Sequence, residues 1–332
     1  MAAYSQQILV STGLADWKSK IEDEKDTAPW GGVVAQIKEM LGPKGRFHNP
    51  YRNVVVSTSS FGTSDSQAPS PPQAILFPSF QMVSNIEPVS SSILQFLEAF
   101  VSPDASAESS TGREELKRNT PAAANWSGNV HPISTPTILI CSHNSRDTRC
   151  GMLGPLLHSE FVQYINKRHT LRSQVTSDDV KHNGQDDEAV VSFASHPVFR
   201  PDAIDAKHDN QHPINVGMIS HIGGHKWAGN VIVYIPPNYR LAALERRARG
   251  AKPRDKVVAG QTEPLVVPAD EAISPEEQEV GMSPLAGKGI WYGRVEPKHV
   301  EGIVEQTIGH GKIIRELFRG GIHQDGSTIR MD

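Results

Sequence analysis

TPTILICSHNSRDTRCGMLGPLLHSEF, residues 135–161, changes its hydrophobic period in the middle. Residues 135–140 are a short apolar, β-branched run of strand length, and the run ends directly on Cys141. From Cys150 onward, Leu153, Leu156, Leu157, Phe161 and Ile165 recur at helical spacing, so a helix with those five residues on one face is predicted. A buried strand, a polar loop and a helix are the opening of an α/β unit. The loop is bracketed by Cys141 and Cys150, the only two cysteines among 332 residues.

The flanking sequence extends the pattern in both directions. Downstream, INVGMIS (214–220), NVIVYI (230–235) and IWYGRV (290–295) read as strands. PKHVEGIVEQTI (297–308) reads as a helix opened by proline in its first turn. The order strand, helix, strand, strand, strand, helix suits an α/β sandwich with a mixed sheet, as in thioredoxin-like folds. Upstream, ILVST (8–12) and NVVVST (53–58) read as strands. VVAQIKEML (33–41), stopped by Gly42-Pro43, and SSSILQFLEAFV (90–101) read as helices. This N-terminal α/β unit is expected over 1–101, as a degenerate thioredoxin-like domain. A Ser-, Ala- and Pro-bearing linker is expected over 102–125. The second domain then runs from 126 to 332, interrupted by polar insertions at 170–212, with one strand at 189–194, and at 242–288.

Composition removes several function classes. A net charge of −4, with 21% charged residues, offers no global basic field for nucleic acid. No run of about 18 apolar residues exists, so no membrane span is expected. Two cysteines are too few for a disulfide-stapled secreted scaffold, which favours a reducing compartment. The start, MAAYSQQILVSTGL, lacks the basic and long apolar regions of a secretory signal and is not Arg-rich. A strand begins by Ile8, so any leader is expected to be absent from the sequence as it stands.

A second loop offers further ligands. In SHIGGHKWAGN (220–230), His221 and His225 are separated by three residues that include Gly223 and Gly224. Two glycines permit a sharp turn and close approach of the backbone to a bulky group. Two adjacent parallel strands would bring the C-x8-C and H-x3-H loops together. A disulfide would not explain the histidines, and a thiol redox pair is usually C-x-x-C. A Cys2His2 zinc site is chemically possible, although eight intervening residues make a long knuckle. A [2Fe–2S] rhomb is larger, and a long loop can wrap it. Spacing leaves cluster, zinc and no metal open.

The stretches CSHNSRDTRCGMLGP (141–155), SHIGGHKWAGNVIVY (220–234), IWYGRV (290–295) and GKIIRELFRGGI (311–322) carry a resemblance. C-x8-C followed by a pair spaced by three resembles thioredoxin-like ferredoxins, whose second pair is also cysteine. Histidines in that place resemble the fungal bis-histidinyl, sucrase/ferredoxin-like family. The match is strong over 135–240 and 289–322, and weaker in the N-terminal unit through ILVSTGLADW (8–17). The "sucrase" half of that name finds no carboxylate pair placed for glycoside chemistry. The resemblance implies a [2Fe–2S] cluster held by Cys141, Cys150, His221 and His225. Each loop supplies two like ligands, so the cysteines are expected on one iron and the histidines on the other. It implies a single-electron carrier rather than an enzyme with its own substrate, a redox protein partner, and a mitochondrial place in redox or thiol homeostasis. The histidine-bound iron is expected to take the electron, with proton uptake at an imidazole. A redox- or iron-sensing module and a structural zinc protein are the alternatives.

Neighbouring residues carry their own expectations. Arg146, Asp147 and Arg149 suggest an Arg–Asp pair that stiffens the loop, or an arginine that offsets cluster charge. His143 is a rival ligand. Lys226 is expected to lie along the surface beside a packed Trp227 ring, and Asn230 to fix the loop by a backbone hydrogen bond. His182, His208 and His212 are expected in solvent, and Gly320 and Gly321 in a family-like tail.

Overall fold

Two rounds of strand, helix, strand, strand, strand, helix follow one another along the chain. The computed structural model describes residues 4–62, 71–101, 125–177, 199, 214–220, 222–223, 227–241 and 281–330, with the backbone alone over 169–177. The first round comprises β1 (Gln6–Ser11), α1 (Pro29–Leu41), β2 (Val54–Ser59), β3 (Ala74–Phe77), β4 (Gln81–Val83) and α2 (Ser90–Phe100). After β5 (Val130–Pro132) the second comprises β6 (Thr137–Cys141), α3 (Thr148–Ser177), β7 (Asn215–Ile219), β8 (Val231–Ile235), β9 (Lys288–Tyr292) and a helix over 297–309. β10 (Phe318–Ile322) and β11 (Thr328–Ile329) close the chain's described part. In each round the first two strands are parallel, the third is antiparallel to the first, and the fourth is antiparallel to the third. Both halves therefore have the thioredoxin-like strand arrangement, and the expected α/β fold with a mixed sheet is the one that forms.

The eleven strands among the described residues lie in one hydrogen-bonded sheet, ordered β11-β10-β9-β8-β6-β7-β2-β1-β3-β4-β5. The halves join through β2 and β7, which are equivalent edge strands, antiparallel at Ser59 and Ile219. Ser60 N–H donates to the Met218 carbonyl and Ser220 N–H to the Thr58 carbonyl. Antiparallel pairing of equivalent strands places an approximate two-fold axis at this joint. The strands meet at their C-terminal ends, so the loops that follow β1, β2, β6 and β7 converge on the middle of the molecule.

Side-chain alternation defines the layers. Ile8, Val10, Ala74 and Leu76 pack with α1 and α2. Ile138, Ile140, Val231, Val233 and Tyr292 pack with α3 and the 297–309 helix. The opposite faces, with Leu9, Ile75 and Phe77 from one half and Leu139, Ile232, Tyr234 and Trp291 from the other, share a third core. The sheet thus folds over on itself, giving four layers: helices, sheet, sheet, helices. The Phe77 and Tyr234 rings stack with centroids 3.8 Å apart. A directed chain of hydrogen bonds crosses this interface. Trp291 Nε1 donates to Tyr4 Oη (2.7 Å), Tyr4 pairs with Tyr234 Oη (2.8 Å), and Tyr234 donates to Gln7 Oε1 (2.7 Å). Burial pushes both tyrosine pKa values up, so both hydroxyls keep the protons that the chain needs.

Three expectations change. Leu156 is 47% exposed rather than on the packed face, because it lies one residue before Leu157, which takes the core position with Phe161 and Ile165. The 297–309 helix opens on Pro297 but winds as a π-helix over Ile303–Gly309, where the Thr307 hydroxyl meets Tyr292 Oη (2.7 Å). Helix α1 begins at Pro29, one turn before Val33. The linker 102–125 lies outside the described residues apart from Asn125. The strand at 189–194, most of the two insertions, and His182, His208 and His212 also lie outside them.

Candidate metal centre

Strand β6 delivers Cys141 to the sheet end, and the first turn of α3 delivers Cys150. Asp147 caps that helix, its Oδ1 accepting the Arg149 N–H at 3.0 Å. The same carboxylate takes the Arg149 guanidinium through Nε (3.1 Å) and a terminal nitrogen (2.9 Å), so the expected Arg–Asp pair forms within the loop. Arg149 is exposed, so the cap rather than the ion pair supplies most of the local stability. Asp147→Ala is expected to lower stability by about 1 kcal/mol in denaturant unfolding, and Asp147→Asn to recover most of it. Gly154 lets α3 settle on the Cys141–Ser142 backbone: a Cβ there would stand 2.5 Å from Ser142 Cβ and 2.9 Å from the Cys141 carbonyl.

Both cysteines are buried, and neither is in a disulfide. The Cys150 thiol donates to the Cys141 sulfur and lowers its pKa. Burial works the other way. The backbone N–H groups of His143 and Ile222 add to the lowering, and the Asp147 charge opposes it. Ile222 directly follows His221, so the second loop touches the first cysteine's sulfur through its main chain. His221, His225 and Lys226 themselves lie outside the described residues. Among the described residues no group of three or more His, Cys, Asp or Glu gathers as a metal site. The described donor set is two soft sulfurs in contact, shielded from solvent and met by backbone N–H groups. That chemistry fits the cysteine half of a thiolate-bound metal or iron–sulfur centre.

The loop after β1 holds the cysteine loop in place. Ser142 Oγ donates to the Ala15 carbonyl (2.7 Å), and Ser145 donates through N and Oγ to the Asp16 carboxylate (3.3 and 3.2 Å). Arg146 donates to the Ser19 carbonyl (3.3 Å). His143, 1% exposed, has Nε2 at 3.0 Å from both the Trp17 and Lys18 carbonyls. Carbonyls only accept, so Nε2 carries the proton and is committed as a donor. That contact removes His143 Nε2 as a rival ligand in this arrangement. The Trp17 ring meets the imidazole edge-on at 5.9 Å, and its Nε1 is anchored on Thr12 Oγ1 (3.0 Å).

On the other flank, Trp227 lies under two guanidinium groups, Arg294 at 4.4 Å and Arg319 at 4.9 Å from the ring centroid. Arg319 also donates to Asn230 Oδ1. Burial lowers the Arg319 pKa. The Asn230 carbonyl accepts the Cys141 N–H at 3.0 Å, whereas its side chain meets Arg319 and not the expected backbone group. Gly229, at φ +82°, leaves no room for a Cβ, which would meet the Val295 carbonyl at 2.5 Å. The arginines belong to IWYGRV and GKIIRELFRGGI. Their presence in two stretches that resemble the family was a signal, but their meeting on Trp227 was not legible from spacing.

Two thioredoxin-like halves thus meet around a buried cysteine pair. The chain belongs to the sucrase/ferredoxin-like family, whose description matches residues 1–320. It is similar to proteins named altered inheritance of mitochondria protein 32. The one from Meyerozyma guilliermondii is 26% identical over 191 residues, covering 58% of this chain and 36% of that protein. The one from Debaryomyces hansenii is 27% identical over 190 residues, covering 57% and 37%. The chain thus spans little more than a third of the curated relatives it matches. No solved structure matches it.

Proposed function

We propose that the chain is a one-electron carrier that holds a [2Fe–2S] cluster through Cys141, Cys150, His221 and His225. The observation that carries this reading is the buried contact between the two cysteines, with the Ile222 N–H on the Cys141 sulfur. That contact draws the histidine-bearing loop to the thiol pair. When bound, such a cluster supplies a single reversible electron transfer at a potential set by ligands, hydrogen bonds and solvent exposure. Cys141 and Cys150 bind as thiolates. The His143 and Ile222 N–H groups favour negative charge on the Cys141 sulfur, and the surrounding layers exclude water. A histidine that binds iron through one ring nitrogen would keep an N–H on the other that can move a proton, so electron uptake would be coupled to proton uptake and the potential would fall as pH rises. A potential independent of pH between about 6 and 10 would count against this coupling.

The names of the relatives place them with mitochondria, and we infer a mitochondrial redox role for this chain, with a protein partner as donor or acceptor. No helix among the described residues is long and apolar enough to cross a membrane. The deciding experiment measures iron, acid-labile sulfide and zinc per chain after anaerobic purification, with EPR before and after dithionite. About two irons and two sulfides, with a rhombic signal on reduction, support the carrier. One zinc without sulfide, persisting after attempted reconstitution, removes it.

A further inference from the structure

Asn230 stands opposite Cys141 across the β6–β8 ladder, joined by the Cys141 N–H to Asn230 carbonyl bond of 3.0 Å. Opposed residues of an antiparallel pair project from the same face. Leu139, two before Cys141, and Ile232, two after Asn230, both face the inner core between the sheets. The Asn230 side chain and the Cys141 sulfur therefore emerge side by side at the sheet end. Asn230 is 1% exposed. Its Oδ1 accepts from the Arg319 guanidinium, which can only donate, so the oxygen end of the amide is fixed by chemistry. The other end, Nδ2, is buried and has no acceptor among the described residues. A buried donor without an acceptor is costly, and the amide cannot relieve it by flipping without losing Arg319. Arg319 is itself packed on Trp227, so the amide's oxygen end is held by a rigid support.

We propose that Asn230 Nδ2 donates a hydrogen bond to sulfur of the cluster at the Cys141 side, and that Arg319 is the positioning residue that keeps the amide so turned. This assignment rests on the cluster reading above. A donor on sulfur favours the more negative, reduced state and so raises the potential.

The test compares the parent chain, Asn230→Asp, Arg319→Lys and Arg294→Gln, all reconstituted anaerobically at the same pH. The readouts are the midpoint potential and the resonance Raman Fe–S stretches in H2O and D2O. Asn230→Asp keeps the shape but replaces the donor by an acceptor. It is expected to weaken the reduced state at least tenfold relative to the oxidised one, a fall of about 59 mV for one electron, and to lose part of the deuterium shift. Arg319→Lys keeps the charge but not the fork that orients the amide, and it is expected to reduce both quantities part-way. Arg294→Gln removes a nearby charge without touching the amide, so its deuterium shift stays at the parent value. A cluster-loaded Asn230→Asp with the parent's potential and deuterium shift overturns the proposal and leaves the cluster reading standing. If that variant does not load, an Arg319→Lys protein identical to the parent overturns it equally. A parent chain without iron and sulfide removes the cluster reading, and the proposal with it.

Discussion

Cys141→Ser or Cys150→Ser is expected to abolish iron and sulfide binding, while His221→Cys and His225→Cys keep a cluster whose potential falls by roughly 100 mV or more. The asymmetry follows from charge. A serine hydroxyl is a poor ligand for iron beside a single remaining thiolate, and the site loses half of its sulfur donors. A cysteine in place of histidine adds a negative charge, which disfavours the added electron. It also removes an imidazole N–H, so the dependence of the potential on pH weakens. Metal and sulfide analysis checks the first pair, and an electrochemical titration from pH 6 to 10 the second. Retention of a normal cluster in Cys150→Ser would break the proposed ligand set.

Trp17→Ala is expected to be the most damaging change outside the ligands, at about 3–5 kcal/mol for a buried indole. Trp17 is 3% exposed and lies in the N-terminal half, yet its carbonyl and ring both rest on His143. Removing it leaves a cavity under the strap of residues 15–19 and loosens every bond that strap makes to the cysteine loop. The expected signature is a lower denaturant midpoint together with faster loss of iron to a chelator, with little change in the potential of the cluster that remains. Trp17→Phe should restore most of both. An unchanged rate of iron loss in a destabilised Trp17→Ala chain would show that the strap supports the fold without guarding the centre.

The elements that could be read from sequence are those with long, regular apolar spacing: β1, β2, β6, β7, β8, β9, α2 and most of α1 and α3. Three of the missed strands lack that signal for identifiable reasons. AILF (74–77) is four residues after a proline-rich loop, QMV (81–83) is three residues, and FRGGI (318–322) contains a glycine pair that depresses strand propensity. The joint between the halves was hidden because β2 turns polar where it pairs: Ser57, Thr58 and Ser59 look like a strand leaving the core, yet they are fully buried. At the site, side chains with distinctive chemistry were legible and main-chain groups were not. The cysteines announced themselves by type and spacing. The clamp on their loop is made largely of the carbonyls of Ala15, Trp17, Lys18 and Ser19, which any residue could supply. His143 looked like a ligand for the same reason, since its type was visible and its acceptors were not.

The two-fold relation at the β2–β7 joint also assigns each residue at the centre a counterpart. The last pair of the β1–β2 ladder is Ser11 with Ser59, and that of β6–β7 is Cys141 with Ile219. Because Ser59 pairs with Ile219 across the joint, Ser11 is the counterpart of Cys141. In effect the molecule is a dimer written as one chain, with sulfur in one subunit and a hydroxyl at the matching place in the other. The silent subunit covers the inner face of its twin and lends it a strap. Cut from its twin, the cysteine-bearing half would present Ile232, Tyr234 and Trp291 to water, along with the bare edge of β7. The smallest unit that keeps this inner core covered is therefore the pair, even though both cysteines belong to one member.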